Sequence, residues 1–541
     1  MTFHFADIWE AVADRIPTYP AVVQGERVIS WAAYDERSAR LASALEEAGL
    51  GPGSTVGMFL YNSAEYLETQ FAAFKARVTP VNVNYRYLDD ELAYLLDNAD
   101  CEALVFHSSL GDRVERIRDR LPRLRLLVDV PDGAPSGVAG AVAYDDIIAS
   151  HSPAPRRPRS ADDLYMLYTG GTTGMPKGVM YAMGAFSDAY VGYAATNLGL
   201  EPWLTVDALA DFVEAQVTSG NQQRTTPCPP LMHGTGIWLG AMLPHVLGNT
   251  CVLLESRSLD ADEVWRVVEG GVSVLIIVGD AFARPMLDAL KAGAADGRPY
   301  DTSNLAVILS SGAMLSAEVK EGLVAHIPQV VILDVLGSSE GAMAQSVTVG
   351  SGTGTTAKFG LMAGARVFTD DGRAVEPGSG DVGMVAVTGA NIPLGYWKDP
   401  EKSARTFREI EGVRYSFPGD MATVEADGTV TLLGRGSACI NTGGEKVFPE
   451  EVEEAVKTHP AVRDCLVFGE ADERFGQRVV AIASLGAQGA ATSDELIVHT
   501  RSRLAPFKAP RQLVLVDEVP RAPNGKADYG RARAVFESAR P

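Results

Sequence analysis

Eleven consecutive residues, Tyr168–Gly178 (YTGGTTGMPKG), contain four glycines, three threonines and one lysine. Glycine lets backbone N–H groups approach an anion closely, hydroxyls add donors, and Lys177 adds positive charge. Phosphate is the anion this combination suits, with Thr169, Gly170, Gly171, Thr172, Thr173, Gly174 and Lys177 as the binding residues. It is not a Walker A loop, which needs Gly-Lys-Ser/Thr opening a helix; here Gly178 follows Lys177. Elsewhere Glu340 closes Leu336–Glu340 (LGSSE), Asp420 closes Phe417–Asp420 (FPGD), Arg435 offers a planar donor fork, His233 sits in Pro229–Gly236 (PPLMHGTG) and Lys526 ends Pro523–Lys526 (PNGK). Taken singly, each has a plainer reading. The loop would be a flexible turn, Glu340 a solvated carboxylate, Asp420 a turn residue, Arg435 and Lys526 surface cations, and His233 a satisfied core histidine.

The elements that must position these residues follow from hydrophobic patterning. Leu164–Leu167 reads as a strand running into the glycine-threonine loop. Ser54–Leu60, Ala103–Phe106, Leu126–Val130, Val274–Val278 and Leu305–Leu309 are apolar runs of strand length, and Ser63–Lys75 is helical in pattern. Continuous apolar strands separated by helices predict parallel sheets covered on both faces. Ser152–Ser160 (SPAPRRPRS) reads as an exposed connector. The pattern changes near Arg435–Ser437: Thr429–Leu433 is a strand, followed by a helix over Pro449–Lys457 and strands at Cys465–Phe468, Val479–Leu485 and Gln512–Val516. Residues 437–541 carry 14 basic and 15 acidic side chains, whereas residues 1–436 hold nearly all of the net charge. A separate small α+β domain is expected there.

Composition narrows the function class. The chain has 541 residues, a net charge of −22, 46% hydrophobic and 21% charged residues, which fits a folded multidomain protein rather than a disordered one. Strong acidity argues against nucleic acid as partner. Five scattered cysteines offer neither a disulfide framework nor paired metal spacing. With no signal-peptide pattern and no apolar run of about 18 residues, a cytoplasmic protein without stable membrane insertion is expected.

The loop Tyr168–Gly178 resembles the phosphate-binding signature of the adenylate-forming superfamily, which includes acyl-CoA synthetases, luciferases and peptide-synthetase adenylation domains. Further motifs follow in the superfamily's order: LGSSE, Asn391–Trp397 (NIPLGYW) with Pro400–Phe407, FPGD, the junction Gly434–Glu453 (GRGSACINTGGEKVFPEEVE) and PNGK. The resemblance covers essentially the whole chain. It implies an α/β fold: a large N-terminal domain (residues 1–435) of parallel-sheet subdomains plus a β-barrel-like subdomain, and a small mobile α+β C-terminal lid (436–541).

It also implies residue roles. Glu340 would hold magnesium bridging ATP phosphates, beside Gly337, Ser338 and Ser339. Asp420 and Arg435 would contact the ribose, and Ser311, Gly312 and Ala313 would border the adenine. Leu336 stands where relatives often carry an aromatic residue, replacing stacking by apolar contact. Asp334 would accept from the adenine amino group or face solvent as a strand-end carboxylate. Lys526 is the first candidate catalytic residue, reaching the carboxylate and α-phosphate during adenylation. Met232, His233, Gly279 and Asp280 would line the acyl pocket, with Leu239 and Met242 as further apolar candidates; any one of Leu239, Met242 and Met232 taken singly reads better as core. His233 would be a positioning residue. Gly436 and Ser437 form the hinge; relatives often carry an acid or lysine where Ser437 stands. Thr442, Gly443, Gly444, Glu445 and Lys446 would line the CoA tunnel, or cap the following helix, or do both.

The chemistry implied is a two-step ligation with ATP, Mg2+ and CoA: a carboxylate forms an acyl-adenylate, and the CoA thiol then displaces AMP. Loading of a carrier protein instead of CoA is the alternative. Val274–Pro285, Tyr165–Met180 and the segment Leu198–Gln223 look most like actinobacterial long-chain and steroid-side-chain acyl-CoA ligases, so fatty acids and steroid side-chain acids are the expected substrates. The expected partners are these small molecules, and a homodimer is compatible with the sequence.

Overall fold

The computed structural model describes residues 2–539 apart from 136, 172–173, 443–444, 473–474, 487–488 and 523–524. Thr172, Thr173, Gly443 and Gly444 therefore lie outside the described residues.

The apolar runs are strands, displaced from their expected bounds by a few residues at most. Pro20–Gln24, Thr250–Leu253, Arg224–Pro227, Val274–Ile277, Val307–Ser311 and Val331–Ser338 are neighbours in that order, all parallel. Helices Ala261–Glu269, Gly279–Ala295 and Ala317–His326 bury Trp265, Met286, Leu287, Val319 and Leu323 in one core against this sheet. A second parallel sheet contains Thr79–Asn82, Thr55–Phe59, Cys101–His107 and Leu126–Val130 in order. Its strands read as unbroken apolar runs because both faces are covered. The first sheet continues without interruption into antiparallel strands, from Gly341–Val349 through Lys358–Leu361 to Val430–Arg435, Asp420–Val424 and Val382–Val387. These enclose their own apolar cluster, including Met343, Phe359, Val385 and Val430, as expected of a barrel-like subdomain.

Val430–Arg435 is paired within the body, whereas Ile440–Thr442 is paired in a different sheet with Glu445–Val447, Gly476–Leu485, Val462–Asp472 and Gln512–Leu515. Helix Pro449–Lys457 packs Val452 and Val456 onto that sheet with Cys465 and Leu496, and Phe536 of helix Tyr529–Ser538 covers Phe468. The small C-terminal part thus has its own core.

The Pro/Arg-rich stretch Ser152–Ser160 is exposed along most of its length, as expected of a connector, but the Arg159 side chain is only 2% exposed and ion-paired with Asp7 and Glu10. Arg156 reaches Asp14 and Asp35, and Lys75 joins the same cluster through Glu10 and Asp35. The arginines fasten the stretch to the first helices, because a buried carboxylate such as Glu10 requires cationic partners.

Candidate active site

The described residues of the glycine-threonine loop belong to the two strands of an antiparallel hairpin, Leu164–Gly171 and Gly174–Ala182, in which Thr169 faces Lys177. Tyr168 is tied through its backbone N–H to Asn82 Oδ1 at 2.6 Å, which fixes the hairpin against the second parallel sheet. The strand Gly395–Tyr396 pairs with the hairpin's second arm, and the flanking Leu394 and Trp397 N–H groups donate to Met180 and Gly178 carbonyls at 2.7 and 2.8 Å. This docking carries Tyr396 to Lys177, whose Nζ lies 4.2 Å from the ring centre.

Glu340 sits in the tight turn between Val331–Ser338 and Gly341–Val349. Its backbone N–H donates to Ser338 Oγ at 3.1 Å, and the Tyr396 hydroxyl donates to its Oε1 at 2.7 Å. The Tyr181 hydroxyl donates to the Ser339 carbonyl, pinning the turn to the loop-bearing hairpin. Glu340 is buried, so its second oxygen is directed by a rigid environment.

Asp420 and Arg435 face each other across adjacent strands, with Nε 3.4 Å from Oδ1. Asp420 is buried, and Oδ2 has no hydrogen-bond partner among the described residues. Burial raises its pKa, with Arg435 opposing. A buried carboxylate oxygen left over in this way suits hydroxyl donors from a ligand.

Lys526 comes from the C-terminal part. The Ala522 N–H donates to the Lys526 carbonyl at 2.8 Å, closing a turn whose Gly525 packs against Ala281 and Phe282 of helix Gly279–Ala295. The Lys526 Cε is 3.6 Å from the position a Cβ on Gly312 would occupy. Lys526 is exposed, yet surrounding protein depresses its pKa by desolvation first and by Arg435 second, while Glu340 and Asp420 oppose. Residues from four segments of the chain therefore share one electrostatic environment. On its other side stands half-buried His233, whose pKa falls to about 3 through burial and the nearby charges of Lys526 and Arg86. With that pKa His233 is the neutral imidazole at physiological pH, with one N–H to donate in a hydrogen bond and no imidazolium proton to give up.

Lys177 has its pKa lowered to about 8, by burial first and then by the neighbouring ammonium of Lys402, while Glu340 opposes. Lys402 belongs to the short helix Pro400–Thr406, whose cap Asp399 accepts its backbone N–H at 2.9 Å.

Several expected site residues are engaged within the protein. Asp334 is buried and ion-paired at 2.9 Å with fully buried Lys320, so it does not face solvent; its pKa rises to about 6 because desolvation outweighs that pair. Asp280 accepts from the Ser316 backbone N–H at 2.8 Å and hydroxyl at 3.1 Å and pairs with Arg284, so it braces the pocket wall. Met232 and Met242 are core residues, 1% exposed each, and only Leu239 of the three apolar candidates is half-buried. Gly279 has φ +54, and a side chain there would strike the Met314 carbonyl, so this strand-to-helix crossing needs glycine. Ser311 donates to the Val335 carbonyl at 2.9 Å, Gly312 has φ +95, and half-buried Leu336 packs toward the barrel core. Thr442 pairs with Glu445 in the hairpin Ile440–Thr442/Glu445–Val447, which belongs to the C-terminal sheet.

Sequence reasoning passed over Tyr396, Lys402, Tyr181, Arg86 and Gly434. Tyr396 and Lys402 lie in segments noted for their order alone, and Arg86 carries no local signal. No cluster of three or more metal-ligating side chains occurs among the described residues. The described cysteines form no disulfide, and no described helix is long and apolar enough to cross a membrane.

Comparison with known proteins agrees with this geometry. A family model described as AMP-binding enzyme matches residues 9–397, and one described as AMP-binding enzyme C-terminal domain matches residues 451–526. A 3-oxocholest-4-en-26-oate–CoA ligase of Rhodococcus rhodochrous is 43% identical over 545 residues, covering 98% of this chain and 96% of its own. A medium/long-chain-fatty-acid–CoA/3-oxocholest-4-en-26-oate–CoA ligase of Mycobacterium marinum is 40% identical, covering 100% and 98%. Among solved structures, the anthranilate CoA ligase AuaEII with anthranoyl-AMP matches with a TM-score of 0.84 at 22% identity, covering 100% of this chain and 99% of that one. ATP-bound MatB from Rhodopseudomonas palustris matches at 0.80 and 24%, covering 99% of each chain. At these identities the solved structures speak for the fold.

Proposed function

The chain belongs to the AMP-binding enzyme family, and on that premise we propose how its residues divide the work of the reaction. It is an ATP-dependent carboxylic acid–CoA ligase. A carboxylate does not condense with a thiol in water because its oxygen is a poor leaving group. Transfer to the α-phosphate of ATP, with loss of pyrophosphate, turns that oxygen into part of AMP, which the CoA thiol then displaces.

In the first step the carboxylate oxygen attacks the α-phosphorus and the bond to the pyrophosphate oxygen breaks. Lys526 stabilises the charge on the reacting oxygens, and a cation there acts more strongly in the half-desolvated cleft than in water. Lys177 and the glycine-threonine loop hold the β- and γ-phosphates. The free Oδ2 of Asp420, with Arg435, binds the ribose hydroxyls, and Ser311, Gly312 and Ala313 leave room for a flat base. Neutral His233 positions the acyl carboxylate near Lys526. Mg2+ fits here through Glu340: a single protein carboxylate is enough when substrate phosphates complete the coordination. When bound, the ion supplies charge neutralisation between the phosphates. In the second step the C-terminal part pivots at Gly436 and Ser437, the boundary between residues 1–435 and 436–541. That motion turns Thr442, Glu445 and Lys446 toward the thiol.

The acid is hydrophobic. The relatives above are named for medium- and long-chain fatty acids and for 3-oxocholest-4-en-26-oate, and we assign this chain to the same range. We assign its work to the cytoplasm, where both ATP and CoA are supplied. The observation that carries the reading is the approach of Lys526 to Gly312, within one charged cluster with Glu340, Asp420 and Arg435. The test is AMP and acyl-CoA formation with MgATP and a panel of C4 to C18 fatty acids and C22 and C27 steroid acids, with and without CoA. CoA-dependent turnover on a hydrophobic acid is expected. Adenylate formation with no transfer to CoA would overturn the ligase assignment in favour of carrier loading.

A further inference from the structure

We propose that Lys402 is a second phosphate-binding cation, acting beside Lys177 on the β- and γ-phosphates of ATP and on the departing pyrophosphate. The proposal rests on the ATP-dependent reading above and adds a residue to it.

Its basis is an unmatched pair of like charges. Lys177 Nζ lies 4.2 Å and Lys402 Nζ 5.9 Å from the centre of the Tyr396 ring, so both ammonium groups gather at one ring, and the charge of Lys402 helps lower the Lys177 pKa. Both side chains are half-buried. Two cations this close repel, more strongly in a partly desolvated site than in water. Other buried or half-buried lysines here have carboxylate partners: Lys75 has Glu10 and Asp35, Lys320 has Asp334, and Lys508 has Glu451. Among the described residues, no carboxylate forms an ion pair with Lys177 or Lys402. The nearest acid of the site, Glu340, is engaged by the Tyr396 hydroxyl at 2.7 Å. Arg435 adds to the positive field at Lys177.

The arrangement is maintained by contacts that do not involve the Lys402 ammonium. Asp399 caps the helix through the Lys402 backbone N–H at 2.9 Å, and Ser403 Oγ both accepts from the Tyr396 N–H at 2.8 Å and donates to the Asp399 carbonyl at 2.6 Å. The fold thus gathers two cations that no described carboxylate ion-pairs, with Glu340 offsetting their charge only in part, beside the loop suited to phosphate. A polyanion with charge on adjacent phosphates relieves the repulsion; a nucleoside monophosphate, whose charge lies on the α-phosphate, does not reach it.

The test compares ligands that differ only in those phosphates. Binding of MgATP, magnesium pyrophosphate and AMP is measured by calorimetry for the wild type, Lys402→Ala and Lys402→Arg, with thermal melts to check folding. Lys402→Ala is expected to weaken ATP and pyrophosphate by about tenfold or more, the loss of a charge-assisted contact, and to leave AMP unchanged. Lys402→Arg should restore most of the difference. Equal weakening of ATP and AMP, or no change in either, would overturn the proposal, and so would unchanged pyrophosphate product inhibition in Lys402→Ala. A wild type that binds ATP and pyrophosphate but activates no acid would instead overturn the ligase reading, with the Lys402 comparison still decisive.

Discussion

Gly434 and Glu450 meet across the junction between the body and the C-terminal part. Gly434 has φ +116 at the end of the strand Val430–Arg435, and the Glu450 carboxylate, from helix Pro449–Lys457, occupies the space a Cβ on Gly434 would need. Glu450 is half-buried there, and desolvation raises its pKa to about 7. Two residues distant in role, one on each side of the proposed hinge, therefore fix one relative placement of the two parts.

Gly434→Ala should destabilise that placement. A non-glycine residue in this backbone region costs about 1–3 kcal/mol, and the carboxylate must also move. A lower melting temperature and slower acid-dependent pyrophosphate release are expected. Gly434→Ala/Glu450→Ala should recover the steric part alone, leaving the backbone part of the loss.

Lys526→Ala should lower adenylate formation by about 100-fold or more, the scale of removing one charge-stabilising donor from an active site. Conversion of a supplied acyl-adenylate to acyl-CoA should persist, because Lys526 acts in the first step. Single-turnover measurements of each half-reaction separate the two; equal loss in both would contradict the role.

Asp420→Asn should weaken ATP and AMP alike, by roughly 10- to 100-fold, because both carry the ribose that its buried oxygen would bind. Calorimetry with both nucleotides checks this. The pattern contrasts with that expected for Lys402, where the two nucleotides part.

Glu453 gives a pH prediction. It is buried, its Oε1 accepts from the Val467 N–H at 2.9 Å, and desolvation raises its pKa to about 8. The folded state therefore holds a proton that the unfolded chain releases above about 4.5. The sign follows: its contribution to stability is complete below that value and is lost as pH rises toward 8. Glu453→Gln, which stays neutral, should gain stability relative to the wild type progressively from pH 4.5 to 8. Urea denaturation midpoints across that range check it, and a constant difference would contradict the raised pKa.

What the sequence determined by itself was whatever depends on neighbours along the chain. The strands at Leu126–Val130 and Val274–Ile277 were legible because burial on both sheet faces demands unbroken apolar runs. The loop Tyr168–Gly178 was legible because glycine, hydroxyl and lysine chemistry is packed into eleven residues. Glu340, Asp420, Arg435 and Lys526 were found through short ordered motifs. Tertiary structure alone decided which of these groups share a space. Tyr396 and Glu340 are 56 positions apart, and only the docking of Gly395–Tyr396 onto the hairpin brings the hydroxyl to the carboxylate. The ion pairs of Asp334 with buried Lys320 and of Arg159 with Asp7 and Glu10 likewise join residues far apart along the chain. Lys402 carried no signal, because a half-buried lysine and a solvated one are the same letter. Electrostatic partnership depends on distance and desolvation in space, and neither is written in the local order of residues.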